Sequence, residues 1–270
     1  MFNYMFITDT PEIAQYVEAF GVNRIFVDLE RNGKVERQGH LNTVISTHNP
    51  KNIEKIKLVL RSADLMVRIN PFFKGSLDEI EMVLDGGCQS IMIPMFRDLR
   101  TLEEFGEIIN GRAKVIPLVE TIEASRLVKE ISSLDFVSEI HIGLNDLHIQ
   151  HKLNLMFELI SNGEVERMVK ASLKPIGFGG IAHIGARNVA VPAELVMAEH
   201  VRLKSCGVIL SRAFHQNAIS LQELHEKSNF SEEMKKLVSC RLELLKTHKD
   251  HLDAKHAELC RVINKVVRND

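Results

Sequence analysis

The sequence predicts a (β/α)8 barrel, a TIM barrel of the α/β class, with an appended helical C-terminal extension. Eight short runs rich in Ile and Val are nearly continuous in apolarity, which is how strands covered on both faces read. Amphipathic stretches of helical period separate them, so strand and helix alternate. An open doubly wound sheet would usually begin with a glycine-rich turn, and Thr8 to Pro11 is not one.

In chain order the strands are expected at Tyr4 to Thr8, Arg24 to Glu30, Leu65 to Asn70, Ser90 to Met95, Lys114 to Glu120, Glu139 to Asp146, Pro175 to Ile181 and Gly207 to Arg212. Helices are expected over Pro11 to Phe20, with Pro at the first helical position after Thr10, over Ser76 to Leu84, and over Thr121 to Ile131. In GFGGIAHIGARN, Gly177 to Asn188, the glycines do not open a clear helix, so close packing at a strand end explains them better than a phosphate loop. We place the barrel over residues 1–229 and the extension over 230–270. In the extension Val238, Leu242, Leu245, Leu252, Leu259, Ile263 and Val266 follow 4-3 spacings, interrupted by Lys249 and His256. Ser231 reads as the N-cap, and His248, His251 and His256 as residues of a solvated face. A closed barrel offers little apolar surface to such a stripe, so a homo-oligomer through the C-terminal helix is expected, with a helix laid across its own barrel as the alternative.

Composition narrows the partners. A net charge of −2 provides no basic field for a nucleic-acid backbone, and aromatic residues are sparse, with no Trp and two Tyr. No apolar run approaches the ~20 residues of a membrane span, and MFNYMFITDTPE lacks the basic and apolar regions of a signal peptide. The four cysteines are scattered with no C-x-x-C pair. A reduced, cytoplasmic protein is expected.

In a barrel, charged residues that close apolar strands point into the mouth at the C-terminal face. Asp28 with Glu30, Arg68, Glu120 and Asp146 do so. Strands five and six lie about 4.8 Å apart, so Glu120 and Asp146 can converge on one ion. Two carboxylates without His or Cys suit a hard cation, Mg2+ or Mn2+. Taken alone, Arg68 would pair with Glu30. His148 and His151 would suit zinc if helical, but no third ligand accompanies them.

FVDLE, LMVRINP, SIMIPM, VIPLVETIEA and IHIGLNDL, in this order and at these intervals, resemble the HpcH/HpaI aldolase and citrate lyase beta-chain family. The resemblance runs from about Tyr4 to Arg212 and rests most on the E-T-x-x-A and G-x-N-D-L elements. It implies a metal-dependent barrel that makes or breaks a carbon-carbon bond next to a pyruvate-like or acyl-CoA unit, commonly oligomeric with a swapped C-terminal helix. It assigns Glu120 and Asp146 to the metal, Arg68 to the keto-acid oxygens, and the backbone of Gly143, Leu144 and Asn145 to the substrate carboxylate. Where aldolases of the family have D-x-E-H, with His as base, this chain has Asp28, Leu29, Glu30 and Arg31. His40, on the same loop, is the expected replacement, and a metal-bound water orientated by Glu30 is the alternative. The expected activity is a carbon-carbon lyase acting through a pyruvate-like enolate on a 2-keto acid. An acyl-CoA lyase and a non-catalytic binding or assembly barrel are the rival readings.

Overall fold

The computed structural model describes residues 2–33, 47–187 and 189–269. Nine parallel strands form it: β1 Asn3–Ile7, β2 Arg24–Asp28, β3 Asp64–Arg68, β4 Ser90–Ile93, β5 Lys114–Val119, β6 Ile140–Ile142, β7 Ile176–Phe178, β8 Gly180–Ile181 and β9 Gly207–Leu210. Their order is β7-β6-β5-β4-β3-β2-β1-β9-β8. The additional strand, β8, is half of the seventh expected strand, which breaks at Gly179. Its first half pairs with β6 and its second with β9. The amide of Cys206 donates to the Ile176 carbonyl at 2.9 Å and that of Ser211 to Ile181 at 2.9 Å, so the broken strand closes the ring. Gly177 permits this closure, because a Cβ there would stand 2.7 Å from the Gly207 carbonyl oxygen.

Alternate residues on each strand face in and out. Met5, Phe26, Met66, Met92, Ile116 and Leu118 fill the interior, and the opposite faces pack under the helices. Below this layer Arg24, 3% exposed, bridges Asp64 at 2.9 Å and Glu139, and Ser90 donates to Asp64 at 2.6 Å. These groups close the floor of the barrel. His141 points inward from β6. Its Nε2 lies 3.2 Å from the Gly179 carbonyl, which can only accept, so that nitrogen carries the proton. Burial pushes the ring down to about 4 and keeps it neutral.

The helices are α1 Pro11–Glu18, α2 Asn52–Val59, α3 Ser76–Asp85, α4 Leu99–Ile109, α5 Ile122–Arg126, α6 Val128–Ser133, α7 Leu144–Gln150, α8 Glu158–Ser161, α9 Glu164–Ala171, α10 Ala193–Arg202, α11 Leu221–Lys227, α12 Phe230–Leu244 and α13 Lys249–Asn269. The single helix expected over Thr121 to Ile131 is two, broken at Leu127. No helix among the described residues is long and apolar enough to cross a membrane.

The extension is a helix pair laid on its own barrel, with α13 packed across α10 and α8. The cap of α12 is Asn229, two residues earlier than expected; Ser231 lies inside the helix and donates to the Asn229 side chain. Leu259 and Ile263 are fully buried, whereas Leu242 and Leu245 are half exposed, so the stripe is shared between barrel and solvent. His256 does not sit on a solvated face. Its Nδ1 lies 2.8 Å from the buried carboxylate of Glu199, which is why a polar residue interrupts the apolar stripe there. Replacing Leu259 by Ala removes a fully buried side chain, and we expect a loss of about 2–5 kcal/mol in denaturant unfolding.

Candidate active site at the barrel mouth

The parallel register of β2 and β3 sets Asp28 beside Arg68 at the C-terminal end of both strands. The guanidinium grips the carboxylate with a fork, Nε to Oδ1 at 2.9 Å and Nη2 to Oδ2 at 2.8 Å. Glu30 is the weaker neighbour, with Oε2 at 3.4 Å from Arg68 Nη1, so the chief partner is Asp28 and not Glu30. The Glu30 amide in turn donates to Asp28 Oδ1 at 3.1 Å. Phe26 lies under the fork, with its ring centroid 5.4 Å from Arg68 Cζ. Burial acts against the Arg68 charge, but the carboxylates of Asp28, Glu30 and Glu120 outweigh it and hold the pKa above its ordinary value.

Glu120 follows β5 directly and is 2% exposed. Its Oε1 accepts from the Met95 amide at 3.0 Å. Burial first, then the carboxylates of Glu30 and Asp146, push its pKa well above the usual range, while Arg68 and the Met95 amide act in the other direction. Gly143 lies against it: a Cβ there would stand 2.8 Å from Glu120 Cβ and 3.0 Å from Oε2. This approach is the local reason for a glycine after β6.

Asp146 does not close a strand, as its sequence position suggested. The strand stops at Ile142, Gly143 takes the cap position, and Asp146 lies in the first turn of α7, where the helix dipole favours a carboxylate. The structure still brings it near Glu120. Leu144 is buried and Asn145 exposed. His40 lies outside the described residues. Arg31, which stands where the resembling aldolases have His, is exposed and donates from Nη2 to the His48 carbonyl at 2.8 Å.

The structure adds His48 to this group. The Asp28 amide donates to its Nδ1 at 3.0 Å, which puts the ring proton on Nε2, 3.9 Å from Asp9. Its distance along the chain from Asp28 left no local signal. Around the last strands His183 packs edge-on against Phe214 with centroids 4.5 Å apart, Ser211 caps a short 3-10 turn, and Arg187 is exposed. His148 Nδ1 lies 3.2 Å from the Leu144 carbonyl, and among the described residues no group of three or more His, Cys, Asp or Glu is placed to hold a metal. The zinc reading of His148 and His151 finds no support there.

No family model matches the sequence, and no curated protein matches it. Solved structures do. A HpcH/HpaI aldolase/citrate lyase family protein from Burkholderia cenocepacia J2315 superposes with a TM-score of 0.62 at 12% identity, covering 84% of this chain and 93% of its own. The chain has the fold of these barrels. A HpcH/HpaI aldolase from Desulfitobacterium hafniense DCB-2 gives 0.55 at 15% identity over 78% and 86% of the two chains. Macrophomate synthase gives 0.56 at 13% identity over 78% and 77%. The fold is shared at 12–15% sequence identity.

The crowding of carboxylates around Glu120 has a thermodynamic consequence. A carboxyl whose pKa is raised on folding contributes its stability below the unfolded value, and that contribution is lost as the pH rises through the folded value. Glu120→Gln keeps an acceptor for the Met95 amide and removes the charge. In chelator, we expect the variant to melt higher than the parent at neutral pH, by about 2–4 °C per kcal/mol relieved, with the gain shrinking as the pH falls. Scanning calorimetry at several pH values checks it.

Proposed function

We propose that the mouth binds a 2-keto acid together with a divalent cation and makes or breaks the carbon-carbon bond next to the keto group, as a metal-dependent lyase of the aldolase type. The carrying observation is Glu120, a buried carboxylate crowded by two more and faced by the guanidinium of Arg68. Neighbours named as aldolases, macrophomate synthase and a citrate synthase support the same reaction class.

The oxygen-only donor set suits Mg2+ or Mn2+, with Glu120 and Asp146 as the residues that would hold it, and a cation beside Glu120 would relieve the repulsion that raises its pKa. Magnesium keeps most of its shell as water and substrate oxygens, so two carboxylates suffice. When bound, such an ion polarises the keto oxygen and stabilises negative charge there. Arg68 supplies the second positive charge. It cannot deprotonate, and Asp28 fixes its plane, so it is orientated before any charge develops on the substrate. The backbone of Gly143, Leu144 and Asn145 is the proposed seat of the substrate carboxylate. At Gly143 the chain runs bare beside Glu120. His40 is the proposed base, and Glu30 would orientate a water if His40 is dispensable.

The placement of Arg31 favours a second reading, a barrel that binds ligand without catalysis, because the residue where resembling aldolases have His tethers the loop through the His48 carbonyl instead. One experiment separates the two. With Mg2+ and pyruvate in deuterated water, a competent barrel exchanges the methyl protons, visible by NMR. We expect exchange in the parent and a drop of 100-fold or more in Glu120→Gln and Arg68→Lys. Binding of metal and pyruvate by calorimetry without exchange would favour the non-catalytic barrel.

A homo-oligomer is part of this proposal, supported by the half-exposed Leu242 and Leu245 on the C-terminal helix pair. Leu242→Glu with Leu245→Glu should lower the mass seen by light scattering. An unchanged mass would move the interface elsewhere.

A further inference from the structure

Far from the mouth, α13 and α10 build a second constellation. Cys260 and His256 lie one helical turn apart on α13, with Cys260 Sγ 3.6 Å from His256 Nε2. The other ring nitrogen, Nδ1, is 2.8 Å from Glu199 Oε1. Glu199 is 1% exposed, and Arg202 grips it from Nε at 3.0 Å and from Nη2 at 3.0 Å. Arg202 Nη2 also reaches Glu166 on α9 at 2.7 Å, and Glu166 pairs with Lys170 at 2.6 Å. The charges therefore alternate from Lys170 through Glu166, Arg202 and Glu199 to His256, and the thiol ends the series. On α13 itself the nearby charges, Lys255 and Glu258, pair with each other at 3.1 Å.

We propose that Cys260, with His256 as its base and Glu199 orientating the base, is a reactive thiol that exchanges with small-molecule disulfides at the seam between α13 and α10. A nucleophile within reach of a base, and a base held by a third group, is the arrangement that activates a weak nucleophile. A carboxylate can only accept, so His256 donates from Nδ1 to Glu199 and turns the lone pair of Nε2 toward the thiol. Burial first, and then the charge of Glu199, raises the Cys260 pKa, with Arg202 opposing, so the resting group is the thiol. Its proton passes to His256 as sulfur attacks. The Cys260 S–H bond and the disulfide bond of the reagent break, and a new S–S bond forms between Cys260 and one half of the reagent. The other half leaves as thiolate. Glu199 stabilises the imidazolium produced.

The remaining cysteines have no such arrangement. Burial pushes Cys88 and Cys206 up to about 12 and Cys240 up to about 11. Cys260 and His256 are partly exposed, the imidazole side chain by 28%, so a small reagent can approach them.

The test uses a chromogenic aromatic disulfide at less than one equivalent and pH 7 on the full chain, with the modified cysteine found by peptide mass. Cys260 should be modified first, at least tenfold faster than in the same chain unfolded in urea. The fast phase should vanish in Cys260→Ala and slow at least tenfold in His256→Gln, with circular dichroism confirming that the helices remain. Reaction at Cys260 no faster in the folded than in the unfolded chain would overturn the proposal without any variant. So would a first reaction at another cysteine, or an unchanged rate in a folded His256→Gln.

Discussion

The fork between Arg68 and Asp28 is the constraint on which the barrel mouth depends. Strands end there with their charged side chains turned inward, and a carboxylate inside a barrel is tolerated only when something answers its charge. Arg68 answers several at once: Asp28 by a bidentate pair, Glu30 at 3.4 Å, and Glu120 through the field. It has no equal claim on all of them. Asp28 takes the geometry, and Glu120 is left with burial and repulsion outweighing what Arg68 and the Met95 amide return. The unrelieved carboxylate is the part of the site with most to gain from a ligand of positive charge.

The two ends of the barrel solve this problem differently. At the floor, Arg24 is held by Asp64 and Glu139, and Ser90 adds a hydrogen bond, so cation and anions are tied together under the apolar layer. That cluster reads as a plug. At the mouth Glu30 and Asp146 oppose the Glu120 charge and Arg68 favours it. Between them Met5, Met66 and Met92 fill the interior with flexible thioethers beside Phe26, Ile116 and Leu118.

The extension repeats the logic on the outside of the barrel. Glu199 is buried by α13 and is answered from its own helix by Arg202 and from the covering helix by His256. A buried acid thus gives α13 a register on α10 that apolar side chains alone would specify less sharply. Leu259 and Ile263 supply the burial beneath, and the acid-base pair decides which polar residue may interrupt them.

The strand and helix alternation, the two-sided burial of the strands and the end position of Asp28, Arg68 and Glu120 were all legible in the sequence, because each is set by a local period and by the direction in which a strand runs. Those rules do not extend across gaps. Which carboxylate Arg68 would grip depended on the register of β2 against β3: the pairing with Glu30 was legible, and the fork with Asp28 was not, because the ladder was not visible. Asp146 looked like a strand end because IHIGLND is continuous in character, yet the strand stops at Ile142 and a helix starts at Leu144, with Gly143 bare against Glu120 between them. The split of the seventh strand, the ring of His48 on the Asp28 amide and the meeting of His256 with Glu199 join residues distant in the chain. The sequence by itself determined the barrel and the kind of charge at its mouth, since burial and periodicity are local to each segment. Tertiary structure alone decided the partners, since pairing depends on distances that exist only after the ring has closed.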